Sequence, residues 1–560
     1  MADATPTFRH LPTRLLLLVS FPFLLTRCTS RPPEPPPPTL AEQALAIAEV
    51  FETPHPYSER TLDSLDLAAF FTRYPGYRPD SASVADFYRR RSMQFAWIVS
   101  DSLTASAEAF VALAGVARTG DSEVGGEGPS LSELYDQGFA EDGRIPVCDS
   151  CALDVELRLT AEFFRFADRR YGGYLSRDLR ELNWFIPRGK KDVSRLLDSL
   201  AVGVMDLSAY EPMHPQYQLL KASIRRNREM ADVPWPALEL PAGRRKLEAD
   251  DSAGVIGQLR HRLHLLGDLE EDGLSDRYDS TLVRAVERFQ GRHGLERDGI
   301  IGPAVLGAIN VPLARRLRTM LVNMERLRWV PEQQPPDLMV VNIPEFRLHV
   351  YEQGLEVLSM DVVVGTAATR TVIFSDTLTQ VVFSPTWTVP ASITRNEILP
   401  ATRRDPAYLR KHDMEIIGGS ASNPVIQQKP GANNALGRVK FLFPNSYNIY
   451  MHDTPTQSSF GREQRDFSHG CIRLSQPREL AEYLLREDLE WTPDRVREAM
   501  YSGRETFVQL KEKRPVNIVY FTAWVDGDGQ LNFRDDVYGH DSRLASELFL
   551  EEEEDGVAIR

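Results

Sequence analysis

Two imidazoles and one thiol fall within one short stretch of the chain: His452 and, sixteen positions on, the run Ser468-His469-Gly470-Cys471-Ile472-Arg473-Leu474. A thiolate, not a thiol, attacks a carbonyl, so a cysteine nucleophile needs a nearby imidazole to take its proton. His452 and His469 are the two candidates. In an extended strand residues i and i+2 share a face but point in parallel, so His469 reaches Cys471 only across a turned backbone. A side chain arriving from another strand converges more easily, which favours His452 as general acid/base. Gly470 lets backbone approach a substrate closely, and the N–H groups around Gly470 and Cys471 could meet a developing oxyanion.

Papain-type proteases also pair cysteine with histidine, but they place the cysteine early and the histidine far downstream. Here the order is reversed and the separation short. The His452 to Leu474 segment instead resembles the signature of the L,D-transpeptidases with a YkuD-type catalytic domain. Further blocks resemble the long Gram-negative members: Val363-Val364-Gly365 with Arg370-Thr371, Ser384-Pro385-Thr386-Trp387-Thr388-Val389-Pro390, and Asn434-Ala435-Leu436-Gly437-Arg438-Val439-Lys440-Phe441. Val372 stands where a proline is common, and Asp453 where many relatives have glycine. The resemblance implies that Cys471 carries the acyl group and His452 moves the proton. His469 would then shape the oxyanion pocket, and Arg473 either orients the catalytic loop or binds a substrate carboxylate. Trp387, Phe443, Tyr447 and Ser468 are the candidate substrate-binding residues, although aromatics near strand ends serve cores equally well.

The activity so implied is two-step acyl transfer through a thioester, building 3→3 cross-links between peptidoglycan stem peptides with no cofactor and no metal. Carbapenems would acylate the same thiol. Nothing in the residues fixes the acceptor, so an L,D-carboxypeptidase or a hydrolase releasing wall-attached protein shares the site. A non-catalytic wall-binding scaffold is the remaining alternative, and would be expected to have lost Cys471 or His452.

The elements that must hold this site point to a multidomain α+β chain, since 560 residues exceed what one core supports. Residues 40–245 read as a helical scaffold domain: Thr39 and Glu42 form a capping box, and Leu153, Leu157, Ala161 and Phe164 keep helical spacing. Residues 251–312 read as a small three-helix unit. Its Val255, Leu259, Leu263 and Leu266 are followed by Leu282, Ala285, Val286 and Phe289, then by Pro303 opening a helix through Ile309. With Ala285 to Gln290, His293-Gly294-Leu295 and Asp298 to Gly302 it resembles the type 1 peptidoglycan-binding module. Residues 335–540 read as the β-rich YkuD-type catalytic domain. Leu338 to Ile343 is an apolar run, and Arg347 to Tyr351 pairs with Leu355 to Met360 across Glu352-Gln353-Gly354. A charged insert, about 390–430, interrupts the strands and is expected to cap the site. Ser475 is placed to cap the following helix, and Asp526-Gly527-Asp528-Gly529 reads as a hairpin turn, lacking the further ligands of a calcium loop.

The N-terminus, residues 1–28, has Arg9 and Arg14 ahead of an apolar run too short for an ordinary spanning helix, and reads as an export signal or an anchor. Leu25-Thr26-Arg27-Cys28 approximates a lipoprotein box, with arginine where a small residue is usual. Residues 29–39 form a polyproline linker suited to hold the body off a membrane. Periplasmic location follows, with a membrane tether and other wall-synthesis proteins as candidate partners. The Cys148-Asp149-Ser150-Cys151 pair suits a local disulfide, free thiols or a redox role. A net charge of −15 argues against nucleic-acid binding. Residues 541–560, which hold the acidic run Glu551 to Asp555, read as a solvated tail.

Overall fold

The structure is a computed structural model that describes residues 58–99, 102–118, 149–175, 178–189, 191–201, 211–230, 232–273 and 275–549. The export signal, the polyproline linker, Cys28 and the Thr39 capping box lie outside them. No helix among the described residues is long and apolar enough to cross a membrane.

The first part of the described chain is helical. Asp63 caps the helix Ser64–Arg73 by accepting from the N–H groups of Leu65 and Asp66, and Asp66 returns the bond to the Asp63 N–H. The long helix Asp149–Gly172 buries Leu157, Ala161 and Phe164 along one stripe, as their spacing requires. Cys151, in its first turn, is disulfide-bonded. The three-helix unit follows as Gly254–Leu265, Ser280–Arg292 and Pro303–Ile309, closing on Leu259, Leu263, Leu282, Phe289 and Ile309. Its core also takes in Leu238 and Leu247. Trp235 Nε1 donates to Ile309 O, and the Asn310 side chain exchanges hydrogen bonds with both backbone groups of Leu238. The chain from Trp235 on therefore packs with this unit rather than with the helices before it.

The helix Leu313–Trp329 then leads into the strands β1 (Leu338–Asn342), β2 (Arg347–Glu352), β3 (Leu355–Gly365) and β4 (Ser375–Phe383). The β2–β3 turn is Gln353-Gly354, with φ of 50° and 79°, the left-handed pair that a two-residue hairpin needs. After the insert, which begins and ends with β5 (Trp387–Thr388), β6 (Met414–Ser420) and β7 (Asn423–Gln428), come β8 (Val439–Leu442), β9 (Met451–His452), β10 (Asp466–Ser468), β11 (Ile472–Leu474) and β12 (Thr506–Val519). The main sheet runs β10-β3-β11-β9-β8-β4-β12-β1-β2, and β2 pairs again with β3, so eight strands close on themselves. Closure is possible because β3 is long: its first half pairs with β2 and its last residues with β11 and β10. Val341, Leu348, Val362, Val381, Phe441, Met451 and Ile472 fill the interior.

The insert is a folded unit rather than a loop. β5, β7 and β6 make a three-stranded sheet on which short helical turns pack through Val389, Ile398 and Ile426. Two expectations are corrected. Gln476, not Ser475, precedes the helix Pro477–Leu485, and no side chain caps it; Pro477 at the first position removes one of the unpaired N–H groups instead. The chain from 541 is not a solvated tail throughout, because His540–Leu548 is a helix that buries Leu544, Ala545 and Leu548, with Asp541 accepting from Arg326 and Thr522. Acidic composition masked its apolar spacing. Asp526 to Gly529 does form a hairpin turn, between β13 (Ala523–Val525) and β14 (Leu531–Phe533).

Candidate active site

β9 and β11 are parallel neighbours, with Met451 opposite Ile472 and His452 opposite Arg473. Successive side chains alternate faces, and Met451 and Ile472 are wholly buried in the ring. Tyr450, just before β9, and His452 in it, with Cys471, just before β11, and Arg473 in it, therefore project to the opposite side. Sequence spacing proposed three of these four; the register adds Tyr450. Its phenol and its backbone N–H both pull the Cys471 thiol toward the thiolate, and the Trp387 side chain bears on the phenol.

Cys471 is partly exposed, and its sulfur donates a weak hydrogen bond to Asn448 O at 3.7 Å. Burial pushes the thiol above its usual range, against the pull of Tyr450 and Arg473 toward the thiolate. The turn that carries the Asn448 carbonyl is held by Asn445. That side chain donates to Phe443 O and Ile449 O and accepts from the N–H groups of Tyr447 and Ile449.

His452 is buried, and its Nδ1 lies 2.5 Å from Asp453 O. A carbonyl only accepts, so Nδ1 carries the proton and Nε2 the lone pair. Burial, reinforced by the Arg473 and Lys440 charges, pushes the imidazole down to about 3. Among the described residues no hydrogen bond joins His452 to the Cys471 sulfur. Asp453 accepts from the N–H groups of Arg438 and Thr454. Its carboxyl occupies the place that a Cβ on Gly437 would need, 2.4 Å away.

Arg473 is half-buried, its Nε has no hydrogen-bond partner, and among the described residues no carboxylate pairs with it. His469 turns away from the thiol: its Nε2 meets Glu397 Oε1 of the insert at 2.8 Å, both side chains half-exposed. The insert and the segment before Cys471 are thus joined through His469, for which an oxyanion role was expected. Gly470 has φ of 109°, and its N–H donates to Ser468 Oγ.

Two of the expected substrate walls, Phe443 and Ser468, are buried. Phe443 is 4% exposed and packs on Phe374 inside the ring. Ser468 is buried and donates to Cys471 O, folding the loop on itself. Tyr447 packs between Phe374 and Phe185, ring centroids 4.9 and 5.3 Å apart, where Phe185 N donates to Ile373 O and joins the helical part to the strands. Trp387 alone of the expected aromatic walls bears on the thiol side, through its effect on the Tyr450 phenol.

Residues 336–518 match the family described as "L,D-transpeptidase catalytic domain". They form an L,D-transpeptidase domain. Residues 82–224 match a "Scaffold domain" and residues 253–309 a "Putative peptidoglycan binding domain". A curated protein of Haemophilus influenzae named "Putative L,D-transpeptidase" is 32% identical over 241 residues, which are 40% of this chain and 48% of that protein. The chain thus aligns with about half the length of this relative. Among solved structures, an L,D-transpeptidase from Mycobacterium smegmatis is 16% identical over 33% of this chain and 58% of its own, with a TM-score of 0.18. Another from Stackebrandtia nassauensis is 15% identical over 49% of this chain and 94% of its own, with a TM-score of 0.22. Likeness that slight transfers no detail to the transpeptidase domain described above.

Proposed function

We propose that the protein is a peptidoglycan L,D-transpeptidase in which Cys471 is the nucleophile and His452 the general acid/base. The observation that carries this reading is the β9–β11 register, which sets thiol, imidazole and guanidinium on one face. The thiol turns from Asn448 O toward His452 Nε2, which takes its proton as sulfur bonds to the carbonyl of a donor stem. The amide C–N bond breaks, and His452 returns the proton to the departing D-alanine nitrogen. The amine of a second stem then attacks the thioester; its proton passes through His452 to sulfur as C–S breaks and the 3→3 amide forms. The neutral resting pair suits this order, because a thiolate created beside the ring raises the imidazole from its depressed value.

Arg473 lends positive charge to the thiolate or to a donor carboxylate. A half-buried cation without a carboxylate partner is costly, and an arriving anion relieves that cost. The Tyr450 phenol and N–H hold the sulfur at the cleft. Tyr450→Phe is therefore expected to raise the thiol pKa and to slow acylation about 10-fold at pH 7, in line with one lost hydrogen bond to a charged group. An alkylation-rate profile against pH reads the first effect, and an unmoved profile would remove Tyr450 from the site.

The protein acts in the periplasm after export by its N-terminal segment, and the three-helix unit brings it to the wall. The test is incubation with disaccharide-tetrapeptide followed by mass spectrometry. Cross-linked dimer with free D-alanine is expected. Tripeptide and D-alanine alone would make the protein a carboxypeptidase, and no product would favour a wall-binding scaffold.

A further inference from the structure

Beside the catalytic loop, and hydrogen-bonded to it, lies a strap, residues 365–371, that no catalytic role has yet used. Thr371 is 1% exposed. Its Oγ1 donates to Gly470 O at 2.8 Å and accepts from Gly365 N at 2.9 Å. The Thr371 N–H donates in turn to Tyr538 Oη at 3.2 Å, and that phenol donates to Gly365 O at 2.6 Å. Thr371 and Tyr538 thus form a closed set of four hydrogen bonds that ends on one catalytic-loop atom, the carbonyl of Gly470.

That carbonyl belongs to the peptide that also carries the Cys471 N–H. A trans peptide is planar, and its C=O and N–H point in opposite directions. Tying the oxygen inward to a buried hydroxyl therefore turns the Cys471 N–H outward, toward the side on which the sulfur is exposed. The neighbouring N–H is already engaged, since Gly470 N donates to Ser468 Oγ at 3.1 Å. Among the described residues no hydrogen bond takes up the Cys471 N–H. Gly470, at φ of 109°, accepts a backbone that an L side chain rarely adopts, and so permits this peptide orientation.

We infer that Thr371, braced by Tyr538, is a positioning residue that aims the Cys471 N–H at the oxyanion formed during acyl transfer. The inference rests on the transpeptidase reading and extends it to a part of the fold that does not touch the substrate. An oxyanion donor works only if its direction is fixed before charge develops. A freed Gly470–Cys471 peptide would keep the thiol but lose that direction.

The test compares two reactions of one thiol in the full chain. Alkylation by iodoacetamide forms an S–C bond and expels iodide without passing through an oxyanion, whereas acylation by disaccharide-tetrapeptide requires one. Thr371→Val keeps shape and removes the hydroxyl. It is expected to lower kcat for acylation about 10²-fold, the cost of a misplaced catalytic group, with KM nearly unchanged. The alkylation rate should stay within about 3-fold of wild type, because the thiolate is left intact. Thr371→Ser restores the hydroxyl and should recover most of the activity. Tyr538→Phe removes the brace and should fall between the two. Alkylation falling in parallel with acylation would mean that the loop has collapsed, and would overturn the inference, as would a Thr371→Val enzyme with wild-type kcat. A wild-type protein that makes no acyl product at all would take down the transpeptidase reading and this inference together. If Thr371→Val does not fold, the Tyr538→Phe and Thr371→Ser comparison decides the matter by the same ratio of rates.

Discussion

Cys471→Ala is expected to abolish acyl transfer, and His452→Ala to slow acylation about 10³-fold, the usual worth of a positioned acid/base. Both are read from the rate of D-alanine release by protein shown to be folded. His452→Ala protein that keeps its rate would send the search for a base to His469, which the structure turns toward Glu397. The depressed imidazole adds a sign that can be checked. His452 stays neutral until pH falls toward about 3, so kcat/KM should show no acid limb near the ordinary histidine value of 6.5. The same shift acts on stability. The folded value lies below the unfolded one, so as pH falls the unfolded chain takes up the proton first. Stability linked to His452 is whole above about 6.5 and is lost as pH falls toward about 3. His540, pushed down to about 4 by burial and the Arg326 charge, and His293, lowered chiefly by burial, act in the same direction. Glu345 and Glu356 raise His349 to about 9 against its burial, and burial raises Glu156 to about 7, so these two act in the opposite direction. His540→Gln should therefore lose less stability than the wild type between pH 7.5 and pH 5, and an equal loss would contradict a buried neutral His540.

The sequence carried the parts of this molecule that local rules determine. The β2–β3 hairpin was legible because period-2 alternation meets a turn of two residues that tolerate positive φ. The three-helix unit was legible because its apolar spacing and Pro303 mark helix faces and starts. His452 and Cys471 stood out because their chemistry is rare at that spacing. Tyr450 carried no such mark: it lies in a short, irregular stretch, and only the parallel register of β9 with β11 brings its phenol to the thiol. Had the two strands been aligned as parallel neighbours beforehand, a polar residue two positions before His452 would have been the one to inspect. The roles given to Phe443 and Ser468 failed for a related reason, since composition does not say which face of a loop looks inward. Ring closure could not be read either, because it depends on the two halves of β3 choosing different partners. The insert is cored by Val389, Ile398 and Ile426, three residues from separate segments, and no window of sequence unites them.

Gly365→Ala should be among the most damaging small changes in the chain, although it adds a single methyl group and needs no unusual φ. A Cβ there would lie 1.9 Å from Thr369 O and 2.9 Å from Thr371 N. Both are backbone atoms, so no side chain can swing aside, and the strap itself must move. The strap also carries the Thr371 hydroxyl bonded to Gly470 O and the Thr369 hydroxyl bonded to Ser468 O, so displacement reaches the catalytic loop directly. The expected cost is about 3 kcal/mol in stability, at the upper end for overpacking. Activity should fall about 10²-fold from misplacement of the thiol and its N–H. Gly354→Ala supplies the contrast: it lies in the turn just before the start of the same strand, with φ of 79° and nothing within 4 Å of its Cβ. Left-handed strain alone costs about 1 kcal/mol there, and kcat should be untouched. Thermal unfolding and kcat measured on the two variants separate a steric block at the strap from simple glycine strain. Equal effects would mean that the strap yields freely, and a yielding strap could not hold the Gly470 carbonyl in one direction.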